Sequence, residues 1–482
     1  MMTLSHFIAF SVLVVVLPIA TTLAIYSKLA RDVIMFLLVT GTMFGNHMDV
    51  HFISREWYHG TTNGLEVSLL DVFAISLITS LIIRPNKGTQ RIFWPAGLAP
   101  MLLFLIYAAF TVLISEPKLF GFFELTKILR GIIVFVAAAY YVRGERELRV
   151  LLVAMACVVL YEGLFGLKLR YLNHQYRVTG TMPHENSLSM YICVVGPVLL
   201  AAGFSNLPRW LRRFCFAGAA MTVVIAILTI SRMGVVTCPV VMLGTLVCVM
   251  PYRPTLKGVV IGTVVAALVI GAGSYAFPTI IKRFNDEPIG SEYTEASNEG
   301  KGRGSYLVLA KIIVDDRPLG VGLNNWSYEV TDKYGIQMGL RYQPYINTYE
   351  LPDQTPAPGQ DGAQAAPAHS LGALTLGELG WPGLALFTLV WGRWFSLGGR
   401  FIWPRSTDPM KRVGVGIFFG AGAIFLQSLT EWAYRQTQIM FLFHLLLGTA
   451  AGLCYVHWQT RKNRRRETAA AARQRNIQPT AV

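Results

Sequence analysis

Charge is scarce in this chain. Only 14% of its residues are Asp, Glu, Lys or Arg, against roughly 25% in soluble globular domains. That shortage excludes an ordinary soluble enzyme. Paired cysteines are also missing. The six cysteines (Cys157, Cys193, Cys215, Cys238, Cys248 and Cys454) all lie in apolar stretches, and none forms a CxxC pair. A disulfide framework or zinc site is unsupported, and the thiols read as small buried hydrophobes. There is no P-loop, no GxGxxG in a strand–helix setting and no HExxH. Nor is there a DxD or a cluster of outward carboxylates suited to Mg²⁺ or Mn²⁺. Metal-assisted chemistry is therefore disfavoured, and neither a metal nor a cofactor is expected. The first apolar run has no basic leader and no small-x-small cleavage site, so it reads as a retained helix.

Apolar sequence is abundant instead. Hydrophobic residues make up 53% of the 482, and apolar runs of about 18 residues recur along the chain, the length that spans a bilayer as helix. The spans are expected at 7–25, 33–48, 67–83, 97–114, 122–141, 148–169, 187–204, 214–230, 233–250, 256–277, 370–394, 413–429 and 439–456. This is an all-α polytopic membrane protein with 12 or 13 crossings, the count depending on whether the first two runs both cross.

Alternate loops are basic. "SKLARD", "RPNKGTQR", "VRGERELR", "LPRWLRR", "PYRPTLK" and the tail "RKNRRRETAAAARQRN" fall on one side, which the positive-inside rule assigns to the cytoplasm. The net charge of +15 then marks the cytoplasmic face beside anionic headgroups, and nucleic acid is not an expected partner. The tail reads as disordered. The remaining loops face outward, among them a long segment at 278–369. Within it Tyr306, Leu307, Ala310, Ile313 and Val314 recur at helical spacing before Pro318, the pattern of an amphipathic helix lying against the membrane. The stretch "PDQTPAPGQDGAQAAPAH" reads as a flexible loop ending at His369.

Cations on the outward side are out of place by the same rule. Lys127, Arg130, Arg177, Arg232, Arg303 and Arg435 all lie at outer helix ends, in or beside apolar sequence. A charge at membrane depth costs at least about 2.5–3.5 kcal/mol. It persists if it snorkels, pairs with outward acids such as Asp71, Glu124, Glu378 and Glu431, or binds something. Arg232 has the least room to snorkel, because "TISRMGVV" joins two apolar runs with almost no loop. Together these cations suggest an outer anion site. Guanidinium suits phosphate, since its planar fork donates two parallel hydrogen bonds.

His369 stands where the polar loop meets the next apolar run. An imidazole accepts a proton near neutral pH, which suits a general base acting on a hydroxyl. A helix-entry histidine bonded to backbone is the bland alternative. His184, in "GTMPHENSL", is a second candidate, and Glu378 lies on the same helix as His369, positioned to pair with a cation.

Three blocks, "TISRMG", "GRGSY…DDRPLGVGLNNW" and "AHSLGALTLGELGWPGL", resemble the signature blocks of the O-antigen ligase and polymerase superfamily of bacterial envelope glycosyltransferases. "YRVTGTMPHENSLSMY" is similar to a further block, R-x-x-G-x-x-x-x-x-N. The residue after His369 is serine where many members have asparagine. The resemblance implies a GT-C type fold with a large periplasmic loop. It implies metal-independent, inverting transfer of a glycan from undecaprenyl diphosphate at the periplasmic face of the inner membrane. It also implies that Arg232 and Arg303 grip the diphosphate while His369 is the base; the positions of Arg177, Lys127, Arg130, Arg435, His184 and Glu378 make them further substrate-binding candidates. The expected acceptor is a lipid A–core sugar, as in an O-antigen ligase. A polymerase or a protein O-glycosylation ligase would use the same donor, and a transporter of lipid-linked sugars is the competitor of another class. The implied organisation is a transmembrane bundle at 1–277, a periplasmic loop at 278–369, transmembrane helices at 370–458 and a cytoplasmic tail at 459–482.

Overall fold

The computed structural model describes residues 4–44, 49–55, 57–85, 90–250, 281, 303–342, 364–403 and 405–477. The expected span 256–277 lies outside them. Thirteen main helices follow in order among the described residues: α1 (Leu4–Tyr26), α2 (Lys28–Gly41), α3 (Leu69–Ile83), α4 (Leu98–Ile114), α5 (Lys118–Tyr141), α6 (Glu145–Tyr171), α7 (Glu185–Gly203), α8 (Arg209–Thr229), α9 (Arg232–Val249), α10 (Gly304–Asp316), α11 (Leu371–Gly399), α12 (Pro409–Ser428) and α13 (Thr437–Ile477). Among the described residues seven of these, α6 to α9 and α11 to α13, are long and apolar enough to cross a membrane. Shorter apolar helices occur at Phe10–Tyr26, Leu69–Ile83 and Leu98–Ile114. The protein is an all-α polytopic membrane protein. Exposed Leu103, Ile106, Leu113, Leu243, Val247 and Leu389 give the bundle the apolar perimeter that lipid requires.

Local chemistry sets the helix ends. Ser27 breaks the chain between α1 and α2 and caps α2 by accepting a hydrogen bond from the Ala30 amide at 3.2 Å. Arg31 is buried there, donating to the carbonyls of Ala24 (2.6 Å) and Arg84 (2.9 Å), so it closes the C-terminal ends of α1 and α3 together. Ser68 and Asp71 form a capping box at the start of α3. Asp408 caps α12, with Pro409 at its first turn.

Two features differ from the sequence expectation. The chain between α2 and α3 folds into a β-hairpin, β1 (Asp49–Ser54) pairing antiparallel with β2 (Gly64–Ser68). The register runs from Asp49 opposite Ser68 to Ser54 opposite Gly64, with an irregularity between His51 and Ile53. The tail, read from sequence as disordered, continues α13 as helix to Ile477. Its Arg, Lys, Gln and Ala content favours helix.

The 303–342 segment meets α11 at a break in that helix. Gly380 has φ +65°, and Pro382 follows. Pro382 has no amide hydrogen to give the Glu378 carbonyl, and that carbonyl accepts from the Gly322 amide at 2.8 Å. The Gly377 carbonyl accepts from Val321 at 3.0 Å, and Leu379 from the Tyr107 hydroxyl at 2.8 Å. Carbonyls released by the kink thus find partners in the "PLGVG" turn and in α4. A Cβ at Gly320 would strike the Glu378 carbonyl, and one at Gly380 the Pro318 carbonyl, so both glycines permit the docking. With the turn fixed, α10 buries Leu309, Ala310, Ile313 and Val314. Leu309, Ala310 and Ile313 pack with Trp326, Val330, Ala373 and Leu374. The expected amphipathic helix therefore forms, but its apolar face meets protein, chiefly α11, while Leu307 stays exposed.

α7 and α12 pack closely. Cβ atoms at Gly416 and Gly420 would meet the backbone of Val198 and Val194, the small-residue approach common between membrane helices. This brings the start of α7 to the chain just past the end of α12.

Candidate active site

Four elements converge at one end of the bundle. α8 ends at Ile230 in the left-handed region (φ +49°), and after Ser231 the next helix begins at Arg232 itself. The "TISRMG" block is therefore a tight reversal that holds Arg232 in the first turn of α9. Arg303 is the N-terminal flanking residue of α10. His369 immediately precedes Ser370, whose side chain caps α11. Arg177 lies in the loop before α7. That loop is tied down by Glu162, a buried carboxylate that accepts from the Thr181 amide at 3.0 Å and the Thr181 hydroxyl at 2.7 Å.

A pocket at this end is lined by Arg177, Asn186, Met190, Ser231, Arg232, Met233, Arg303, Gln427 and Glu431. Glu431, just past α12, is the junction. One carboxylate oxygen lies 2.8 Å from His369 Nδ1. The other accepts from Asn186 Nδ2 at 3.0 Å and lies 3.4 Å from Arg303 Nη2. Glu431 is buried, whereas the His369 side chain is 38% exposed and within reach of a substrate. Tyr306 flanks it, with ring centroids 5.9 Å apart. Arg177 pairs with Glu185 at the pocket edge.

The other cations noted in the sequence lie in two separate networks. Arg435 donates to Glu124 at 2.6 Å and to Glu378 at 3.0 Å. Lys127 completes this buried set, 2.7 Å from Glu124 and bonded to the Thr61 and Arg435 carbonyls. Formal charge there balances, two cations against two carboxylates. Asn324 clamps the neighbouring chain, donating to Thr62 and Phe120 carbonyls and accepting from the Thr61 amide. Arg130 sits among Asp49 (2.8 Å), Glu66 (3.2 Å) and Asp71 (2.9 Å) at the base of the hairpin. Burial pushes the Asp49 carboxyl up to about 6; Arg130 opposes that rise while Glu66 and Asp71 add to it. The structure thus brings Arg177, Arg232, Arg303 and, through Glu431, His369 to one place. It does not bring Lys127, Arg130, Arg435 or Glu378 there. His184 stands beside the site as the N-cap of α7, its Nδ1 accepting from the Asn186 amide at 3.1 Å.

Asn186 is the closing residue of the R-x-x-G-x-x-x-x-x-N block that begins at Arg177, a signal that by itself does not mark a pocket position; Gln427 carries no such signal. Glu431 is readable only as one of several outward acids suited to pair with a cation. Among the described residues no group of three or more His, Cys, Asp or Glu side chains is placed to hold a metal ion.

Residues 216–388 match a family model described as O-antigen ligase. The chain carries a domain of the O-antigen ligase superfamily. This ligase-family domain covers roughly a third of the sequence and includes Arg232, Arg303 and His369. Arg177, Asn186 and Glu431 lie outside the matched residues, so the pocket is built partly from the ligase-family domain and partly from flanking helices. A search of curated proteins found no match. The matched domain supports an O-antigen ligase or polymerase type of activity, acting on lipid-linked glycan in a membrane.

Proposed function

We propose that this protein is an O-antigen ligase of the GT-C type. It transfers a glycan from undecaprenyl diphosphate to a hydroxyl of lipid A–core at the periplasmic face of the inner membrane. The observation that carries the reading is Glu431. It holds His369 at 2.8 Å while lining a pocket that also contains Arg177, Arg232 and Arg303. A base and an anion-binding pocket thereby share one buried carboxylate. The basic loops at the opposite end of the bundle support an outward-facing site.

The chemistry follows from these groups. With Nδ1–H donated to Glu431, Nε2 of His369 is left to accept the proton of an acceptor hydroxyl. The acceptor oxygen forms a bond to the anomeric carbon as the carbon–oxygen bond to diphosphate breaks. The electron pair leaves on the diphosphate, and direct displacement inverts the anomeric centre. Arg232, at the positive end of the α9 dipole, and Arg303 stabilise the growing negative charge. Two fixed guanidinium groups take the part that a divalent cation plays elsewhere, so turnover needs no metal. Glu431 favours the imidazolium that forms.

Reconstitution tests the proposal. The full-length purified protein is given undecaprenyl-diphosphate glycan and, in separate reactions, lipid A–core, a second carrier-linked repeat or a serine-containing peptide, with EDTA present. Product with lipid A–core is expected. H369A and R232A should each lose about 100-fold or more in rate, and R232K should restore only part, because an ammonium lacks the fork. Wild-type turnover by H369A or R232A would end the assignment. Product only with the second repeat would indicate a polymerase, and only with peptide a protein glycosylation ligase.

A further inference from the structure

Gln427 lies in the last turn of α12, four residues before Glu431, and its side chain lines the pocket with the arginines. It is 1% exposed, and its amide nitrogen and oxygen find no nitrogen or oxygen partner among the described residues. The side chain meets the Cys193 sulfur instead, a weak donor and weak acceptor that leaves the amide poorly satisfied. Its backbone carbonyl is satisfied by Thr430, so only the side chain is left unfulfilled. Native interiors pair most buried polar groups. An amide met only by a thiol in a membrane helix is a standing cost, which an apolar residue of the same length would remove.

The cost is recovered if a ligand supplies the partner. Gln427 sits on the membrane side of Glu431 and His369, because it is inside α12 and they lie beyond its end or before the start of α11. Met190 and Met233 line the same pocket and suit the hydrocarbon adjoining a lipid phosphate. We propose that the Gln427 amide donates a hydrogen bond to a phosphoryl oxygen of the lipid diphosphate, as a neutral donor deeper than the arginines. This rests on the reading of the pocket as a diphosphate site. A neutral amide adds a directed bond without adding another buried charge.

The test is binding of undecaprenyl diphosphate to the full-length protein in detergent, with thermal melting of the ligand-free protein alongside. Q427M keeps the length and volume of the side chain. It is expected to bind about 10-fold more weakly or worse, while its ligand-free melting temperature stays level or rises. Q427E, which turns a carboxylate toward phosphate, should bind more weakly than Q427M. Wild-type affinity in Q427M would overturn the proposal, as would weakened binding that tracks a lowered melting temperature. Q427E binding better than Q427M would also overturn it, pointing to a sugar hydroxyl. R232A separates the two readings: weak R232A with unaffected Q427M removes only the role of Gln427. Unaffected R232A removes the diphosphate pocket and this inference with it.

Discussion

Glu431 approaches His369 at 2.8 Å, carboxylate oxygen to Nδ1. The two residues are 62 positions apart and belong to different connections, one entering α11 and one leaving α12. The contact sets which imidazole nitrogen is available to a substrate.

E431Q should therefore be a rate variant. The amide can still reach His369 and Asn186, but it no longer balances an imidazolium. A fall of about 100-fold in kcat is expected, with a much smaller change in donor KM. Steady-state kinetics with lipid-linked glycan would check this, and a KM effect alone would assign Glu431 to binding.

The Arg435 network should behave as framework. R435M removes the group that neutralises both Glu124 and Glu378, leaving two buried carboxylates facing Lys127 alone. Breaking one partner of a buried ionic set costs about 3–5 kcal/mol. Loss of folded protein on size-exclusion chromatography, or a marked drop in melting temperature, is the expected result.

These networks show where the sequence is legible. Arg232, Arg303 and His369 stand out because a charge or imidazole at the outer rim of an apolar helix needs a reason. Lys127, Arg130 and Arg435 give the same local signal. Lys127 has Glu124 three residues earlier on its own helix, but the carboxylate partners of Arg130 and Arg435 come from other elements, Glu124 being 311 residues from Arg435, so for those two no local pattern separates a structural cation from a binding one. The hairpin escapes because its strands are six and five residues long and sit in a polar loop. Helix α10 is visible from its spacing, but the surface that it meets is set by the α11 kink, far along the chain. Gln427 is hidden because a single amide in an apolar run has no spacing signature.

Acidity should affect the hairpin through Asp49. Its carboxyl titrates near 6 in the folded protein, above the usual carboxylate value, so the native state holds a proton that the unfolded chain has lost. Stability from this group is present at low pH and falls as pH rises through about 6, by up to about 1.4 kcal/mol per pH unit. Melting curves between pH 4.5 and 7.5 should show this slope in the parent and a flatter one in D49N. Equal slopes would remove Asp49 from consideration.

G380A should be poorly tolerated. The substitution meets a positive φ and the Pro318 carbonyl together. It should undock the 318–322 turn and lower both yield and activity, whereas G392A on the same helix, with open space around it, should be neutral. Expression and melting temperature compare the two directly.

The break in α11 bears on biogenesis. Until the turn at 318–322 has reached it, the carbonyls of Gly377, Glu378 and Leu379 would enter hydrocarbon bare, which the translocation machinery would meet as a reluctant segment. The 318–322 turn has to fold before the span that follows can settle. Insertion and domain folding are thus ordered events for this half of the chain, and a slow step in one would be seen as delayed integration of the other.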